Sequence, residues 1–246
     1  MRARRIAAVA SATLLAAVAL SACGSDDGGA DNTKTDAKAL ADQVVEHAKK
    51  KGSMEALGKG VDEDGKPYEV KSCVNIGANG KSESVKGSMT IDGVTAEVLF
   101  TGGKQYTKAG ADFFQMQMGE DGAKLDVAAF NKSLGGKWLV DEDEPDDEAD
   151  FFDGNTDGLT KGEVMEFNGK KVVPLVKKEN DTEKTVYIAA KGDPVVVGMV
   201  EVEGKERTET TVTGVGTKCD VQAPPQDQTL TQDEFETAYD EARGAA

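Results

Sequence analysis

The chain has a single histidine, His47, and a single tryptophan in 246 residues. One histidine excludes any site that needs two, including the H-E-x-x-H zinc pair. No G-x-S-x-G, S-x-x-K or C-x-x-C stretch occurs, and no glycine-rich phosphate loop. Catalysis would then rest on scattered Asp and Glu, which are too plentiful here to mark a site. The sequence therefore reads as a non-enzyme with no cofactor and no metal centre. Basic residues are scarce as well, 29 Lys and Arg against 45 Asp and Glu, a formal charge of −16. That balance excludes nucleic acid and does not seek anionic lipid head groups. The longest apolar run, Ile6 to Leu20, has 15 residues and falls short of the roughly 20 that span a bilayer as a helix.

What is present at the start of the chain has three parts: Arg2, Arg4 and Arg5, the apolar run, and the small residues Ser21 and Ala22 before Cys23. This is the layout of an export signal over 1–22. The order Leu20-Ser21-Ala22-Cys23 resembles the bacterial lipobox, in which the cysteine takes a diacylglyceryl group and becomes the first mature residue. Cys23 is then the lipid attachment site, with each buried CH2 contributing about 0.8 kcal/mol. The alternative is an ordinary secretory signal with an incidental cysteine. Lipid attachment would place the protein on the cell membrane, at its extracytoplasmic face. Removing the leader takes three arginines with it and leaves 26 basic against 45 acidic residues, or −19. Residues 23–35, with "GSDDGGADNTKT", have the composition of a flexible tether.

Two thiols remain, Cys73 and Cys219. In an exported protein such a leftover pair suggests one disulfide. Two buried free thiols or a metal pair are the other readings.

Hydrophobic spacing divides the folded region, 36–222. From Asp36 to Lys51, Leu40, Ala41, Val44, Val45 and Ala48 recur at helical spacing, with Asp36 as cap and Gly52 as stop. His47 falls on the flank of this face and reads as an exposed helical residue. The period then shortens to two. Val85, Gly87, Met89 and Ile91 alternate with polar residues, Asp92-Gly93 turns, and Val94, Ala96, Val98 and Phe100 return on one face. Gly102-Gly103 continues the meander, and "FFQMQM" reads as a further strand. "AKLDVAAFNKSL" carries a short helix and "GKWLV" restarts the strands. The second half repeats the hairpin rhythm, with Asn168-Gly169 as a turn, Pro194 opening a strand, and Val196, Gly198, Val200 and Val202 on one face of it. Residues 223–246 form a C-terminal tail with a short helix, opened by a capping box at Thr231 and Glu234.

Between 141 and 157 the chain carries ten acidic side chains, a density that keeps a loop (141–158) solvated. Asp153, Asn155, Asp157 and Gly158 match the opening of an EF-hand loop. The match then fails, because Lys161 stands at position nine and Val164 at position twelve, with Glu163 one place early.

The order of parts, with "GGKQYTKAGADFFQ", "LGGKWLVDEDE" and "NGKKVVPLVKK…TVYIAAKGDPVVV", resembles the actinobacterial lipoproteins of the LppX/LprG type, relatives of the LolA and LolB carriers. The resemblance spans Asp36 to Asp220. It implies an α+β fold: a curved antiparallel sheet, a half barrel, with helices on its concave side and a cavity for acyl chains between them. The ligand so implied is a lipid or glycolipid. Met89, Val98, Phe100, Val186, Ile188 and Val200 are the candidate lining residues, and would serve equally as a dry core. A non-catalytic surface adaptor using its acidic loop for a partner or cation is the alternative function.

Overall fold

The computed structural model describes residues 30–62, 65–118, 125–141 and 156–244. Cys23 with the leader, most of the acidic run, and Asp153 and Asn155 lie outside the described residues.

Turn chemistry sets the architecture. Asp92-Gly93 (φ 49° and 84°) and Asn168-Gly169 (φ 48° and 74°) take left-handed pairs that match the twist of the strands they join. The first meander comprises β1 (Ser53–Val61), β2 (Pro67–Ile76), β3 (Ser82–Ile91), β4 (Val94–Thr101), β5 (Lys104–Ala109) and β6 (Trp138–Asp141). The second comprises β7 (Thr160–Lys161), β8 (Met165–Phe167), β9 (Lys170–Glu179), β10 (Thr182–Ala189), β11 (Val196–Glu203) and β12 (Glu206–Val215), and β13 (Thr229–Leu230) follows them. β12 pairs with β1, which fuses the two meanders into one sheet in the order β13-β6-β5-β4-β3-β2-β1-β12-β11-β10-β9-β7, with β8 also on β9. Among these strands every pairing is antiparallel except β13 with β6. The curved sheet stays open, and the fold is α+β.

The four helices of the described residues lie on one face, here the inner face. α1 (Ala37–Lys51) begins where the Asp36 carboxylate accepts from Ala39 N–H at 2.9 Å and ends at Gly52 (φ 75°), as its caps require. Its Leu40, Ala41, Val44 and Ala48 pack on Val173, Leu175, Val186, Ile188, Met199 and Val212 from β9 to β12. α2 (Ala111–Met118), α3 (Val127–Ser133) and α4 (Gln232–Gly244) build a second cluster over β2 to β6, with Phe113, Phe114, Phe130, Phe235 and Tyr239 against Met89, Ile91 and Ala96. The capping box opens α4: Glu234 accepts from Thr231 N–H at 2.8 Å. α4, which the sequence sets apart as a tail, is thus an integral part of the inner core.

"FFQMQM" is helix α2 and not a strand. A strand would send Phe113 and Phe114 to opposite faces. On the helix both are buried, and Phe114 meets Phe130 and Phe235 at ring distances of 5.4 and 4.8 Å.

The outer face carries two smaller clusters. Residues 217–225 leave β12 and cross β2 toward β6 as a strap, on which Val221 packs against Leu99, Tyr106, Trp138 and Val140. The strap is pinned by the Cys73–Cys219 disulfide (Cα–Cα 5.8 Å) and by Asn75, whose side-chain amide accepts from Cys219 N–H and donates to its carbonyl, both at 3.0 Å. On the other side Phe167 stacks on Tyr187 at 4.2 Å and lies across Gly198. A bulge in β11 at Val197 inserts one residue between the partners of Tyr187 and Ile188. Val196 therefore stays under α1 while Gly198, Val200 and Val202 face outward, so the four do not share one face.

A Cβ at Gly198 would collide with the Thr210 carbonyl and the Phe167 ring. Gly198→Ala is expected to cost about 1–3 kcal/mol of stability, as overpacking does, read by urea unfolding. Replacing both Cys73 and Cys219 by alanine, which opens a loop of 146 residues, is expected to cost about 5 kcal/mol in the chain-entropy account.

Candidate functional site

The inner face is not evenly covered. Between the cluster under α1 and the cluster under α2 to α4, the middle strands present small side chains: Ala56, Gly58 and Gly60 on β1, Ser72 on β2 and Gly87 on β3. Register places Val98 and Phe100 of β4 on the same face, since Gly87 pairs with Val98 and Val85 with Phe100. Both are half-buried and belong to neither cluster. The result is a floor of small side chains across the inner face, bordered by Val98 and Phe100.

Glycine is required in that floor. Tyr68 lays its ring over Gly60, where a Cβ would sit 2.7 Å from the ring, and its hydroxyl hydrogen-bonds the Thr208 hydroxyl. Burial raises the phenol pKa above its ordinary value, so the group stays neutral. Beyond Tyr68 the inner face turns charged, with Lys184 and Glu201 3.8 Å apart and Lys177 bridged to Glu179 at 2.9 Å. The inner face thus runs from apolar side chains at Val98 and Phe100 to charges beyond Tyr68.

Of the six residues singled out from sequence, Val98 and Phe100 are half-buried at the border of this floor, outside both helix-covered clusters. Met89 flanks it from the α2–α4 cluster, and Val186 and Ile188 sit beneath α1. Val200 lies on the outer face with Phe167 and Val172, because neighbouring strand residues point to opposite sides.

Two features were not legible in sequence. The segment Asp31–Thr35, read as the end of the tether, is docked. Asn32 is 1 % exposed, and its amide donates to the carbonyls of Ala189 (2.8 Å) and Gly192 (3.2 Å). Lys161 donates to the carbonyls of Thr33 and Thr35 at 2.5 Å each, so position nine of the EF-hand-like stretch holds the tether and does not face a cation. An Asn in a Gly/Asp/Thr stretch and a Lys at a strand end carry no pattern that foretells this pairing. The second is His47, which is half-buried with Nε2 shielded from solvent, not an exposed helical residue. Burial lowers its pKa below 6.5, with Lys50 and Lys51 pushing the same way and Asp193 opposing.

No family model and no curated protein matches the chain. Among solved structures, LprF from Mycobacterium bovis is similar at 14% identity, over 76% of this chain and 96% of that one, with a TM-score of 0.47. Lipoprotein LppX from Mycobacterium tuberculosis is similar at 14% identity, over 76% and 98%, with a TM-score of 0.46. An uncharacterized conserved protein from Thermus thermophilus is similar at 12% identity, over 80% and 99%, with a TM-score of 0.45.

The His47 environment predicts a pH effect with a definite sign. Because its folded pKa is lowered from 6.5, the unfolded chain binds the proton more readily, and stability falls as pH drops below about 6.5. Urea unfolding at pH 7 and pH 5 is expected to show a larger loss for the wild type than for His47→Gln. Equal losses in the two proteins would refute the assignment.

Proposed function

We propose that this domain holds an apolar ligand, an acyl chain or lipid, in the groove of its inner face, while Cys23 anchors it at the outer face of the cytoplasmic membrane. The observation that carries the reading is the groove itself. Two helical layers cover the same face of one sheet, yet leave the apolar side chains of Val98 and Phe100 half-buried over a floor of glycine, alanine and serine. A dry core would fill such a depression with large side chains. Binding sites for lipids are concave and mostly apolar with few polar groups, and the Tyr68–Thr208 pair at one end supplies those. The lipobox-like sequence at Cys23 supports the anchor. The reading needs no catalytic residue.

Organic extraction of the purified mature chain, followed by mass spectrometry beside a matched control protein, tests it. Bound lipid in stoichiometric amount is the expected result. Val98→Trp, which places an indole in the groove, is expected to lower the recovered lipid several-fold while changing stability by no more than about 1–3 kcal/mol. A clean extract that stays clean after incubation with lipid vesicles would overturn the reading.

A further inference from the structure

One register row crosses the inner face on six neighbouring strands. Lys177 of β9 pairs with Lys184 of β10, Lys184 with Glu201 of β11, Glu201 with Thr208 of β12, Thr208 with Gly60 of β1, and Gly60 with Tyr68 of β2. The row beside it, toward α1, is apolar or small: Leu175, Val186 and Met199, then Thr210, Gly58 and Val70. The row on its other side carries carboxylates, with Glu179 across from Thr182, Thr182 from Glu203, and Glu203 from Glu206. Such rows lie roughly 7 Å apart along the strands, two residues at a time. Outward from α1, this half of the inner face therefore passes in order from apolar side chains to ammonium groups to carboxylates.

The two lysines differ in what they leave for a ligand. Lys177 is buried, and its ammonium sits 2.9 Å from the Glu179 carboxylate. The Lys184 side chain is 14% exposed, and Glu201 stands 3.8 Å from its ammonium, outside hydrogen-bond reach. An ammonium brings three N–H donors and serves phosphate oxygens as a point charge. Holding it this far out of water is costly without a close acceptor, which a ligand oxygen would supply. The carboxylates set the sign further out. Burial first, and then Glu206, Glu201 and Asp62, hold the Tyr68 phenol above its ordinary pKa, so the negative field of the rim reaches back into the lysine row. A head group of net negative charge meets that rim unfavourably, whereas a phosphate followed by a cation meets each row with the opposite sign.

We infer that these two rows bind the head group of the ligand and select a zwitterionic phospholipid, with its phosphate at Lys184 and its ammonium among Glu201, Glu203 and Glu206. Lys177, held by Glu179, adds positive charge behind the phosphate. The acyl chains leave the head over the small residues Gly58, Ser72 and Gly87 and run toward Val98 and Phe100. The inference rests on the reading that the inner face holds a lipid, and adds to it a head-group class and a direction.

The test uses the full mature chain, purified from membranes and reconstituted in phosphatidylglycerol vesicles. Each sample carries a trace of one lipid with a diazirine midway along its acyl chain and one of three heads: phosphoethanolamine, phosphoglycerol, or the bare hydroxyl of diacylglycerol. After irradiation, peptide mapping reads the adduct yield on β1 to β4. The phosphoethanolamine probe is expected to give at least five times the yield of either other probe. Lys184→Gln should cut that yield at least threefold and leave the diacylglycerol yield unchanged. Changing Glu201, Glu203 and Glu206 together to Gln should bring the two phospholipid probes to equal yields, with a urea midpoint reading whether each variant is folded. Silence of all three probes on these strands would overturn the lipid-holding reading and the inference with it. Adducts in equal yield from the three heads, or a preference for phosphoglycerol or diacylglycerol, would overturn the inference alone. So would a phosphoethanolamine preference indifferent to Lys184 and to the three carboxylates.

Discussion

The bond between Cys73 and Cys219 joins the second strand to the strap that carries the chain from β12 across the outer face. Everything after residue 219 depends on that crossing. The strap delivers β13 to the edge of β6 and lets α4 return to the inner face, where Phe235 and Tyr239 complete the aromatic cluster with Phe114 and Phe130. Asn75 holds Cys219 by two further hydrogen bonds, so the covalent link sits in a polar clamp already shaped to receive it. Without the strap the inner face of the first meander would lose one of its three covering helices, and a sheet that is open at both edges would keep less of its apolar surface dry.

The proposed groove follows from the same arrangement. Helices arrive on the inner face from three separated stretches of chain: α1 before the sheet, α2 and α3 between β5 and β6, and α4 after β12. α1 spans the seam where β1 pairs with β12 and brings two independent meanders together, since Met54 of β1, Val74 of β2 and Val212 of β12 belong to its cluster. Further along the same strands a packed interior would demand large side chains. The sequence instead places Ala56, Gly58, Gly60, Ser72 and Gly87, and lets Tyr68 fold flat over Gly60. The strands at the seam between the meanders thus carry both the topological join and the small residues of the inner face.

Most of the fold was legible because short-range chemistry decides it. The Asp-Gly and Asn-Gly turns, the Asp36 cap and Gly52 stop of α1, and the Thr231–Glu234 box each specify a local backbone that the global structure accepts. Where the reading missed, a non-local partner or a single extra residue decided the outcome. "FFQMQM" alternates like a strand but has two adjacent phenylalanines to bury on the same side. The bulge at Val197 reverses the face of every residue after it, which puts Val200 on the outer surface and not in the groove. Asn32 and Lys161 act on backbone carbonyls far away in sequence, and such contacts leave no local pattern. Met89, Val186 and Ile188 lie in the helix-covered clusters, and Val98 and Phe100 are the two candidate lining residues on the inner face outside them.

The central claim is that an apolar ligand lies between α1 and the α2–α4 layer, along β4 and the small residues of β1 to β3. Photo-crosslinking with a phospholipid that bears a diazirine midway along its acyl chain, followed by peptide mapping, tests that claim most directly. The account predicts adducts on β4 at Val98 and Phe100 and on the facing parts of the helices, competed away by unlabelled lipid. Adducts confined to the outer face around Phe167 and Tyr187, or spread over the surface without competition, would contradict it.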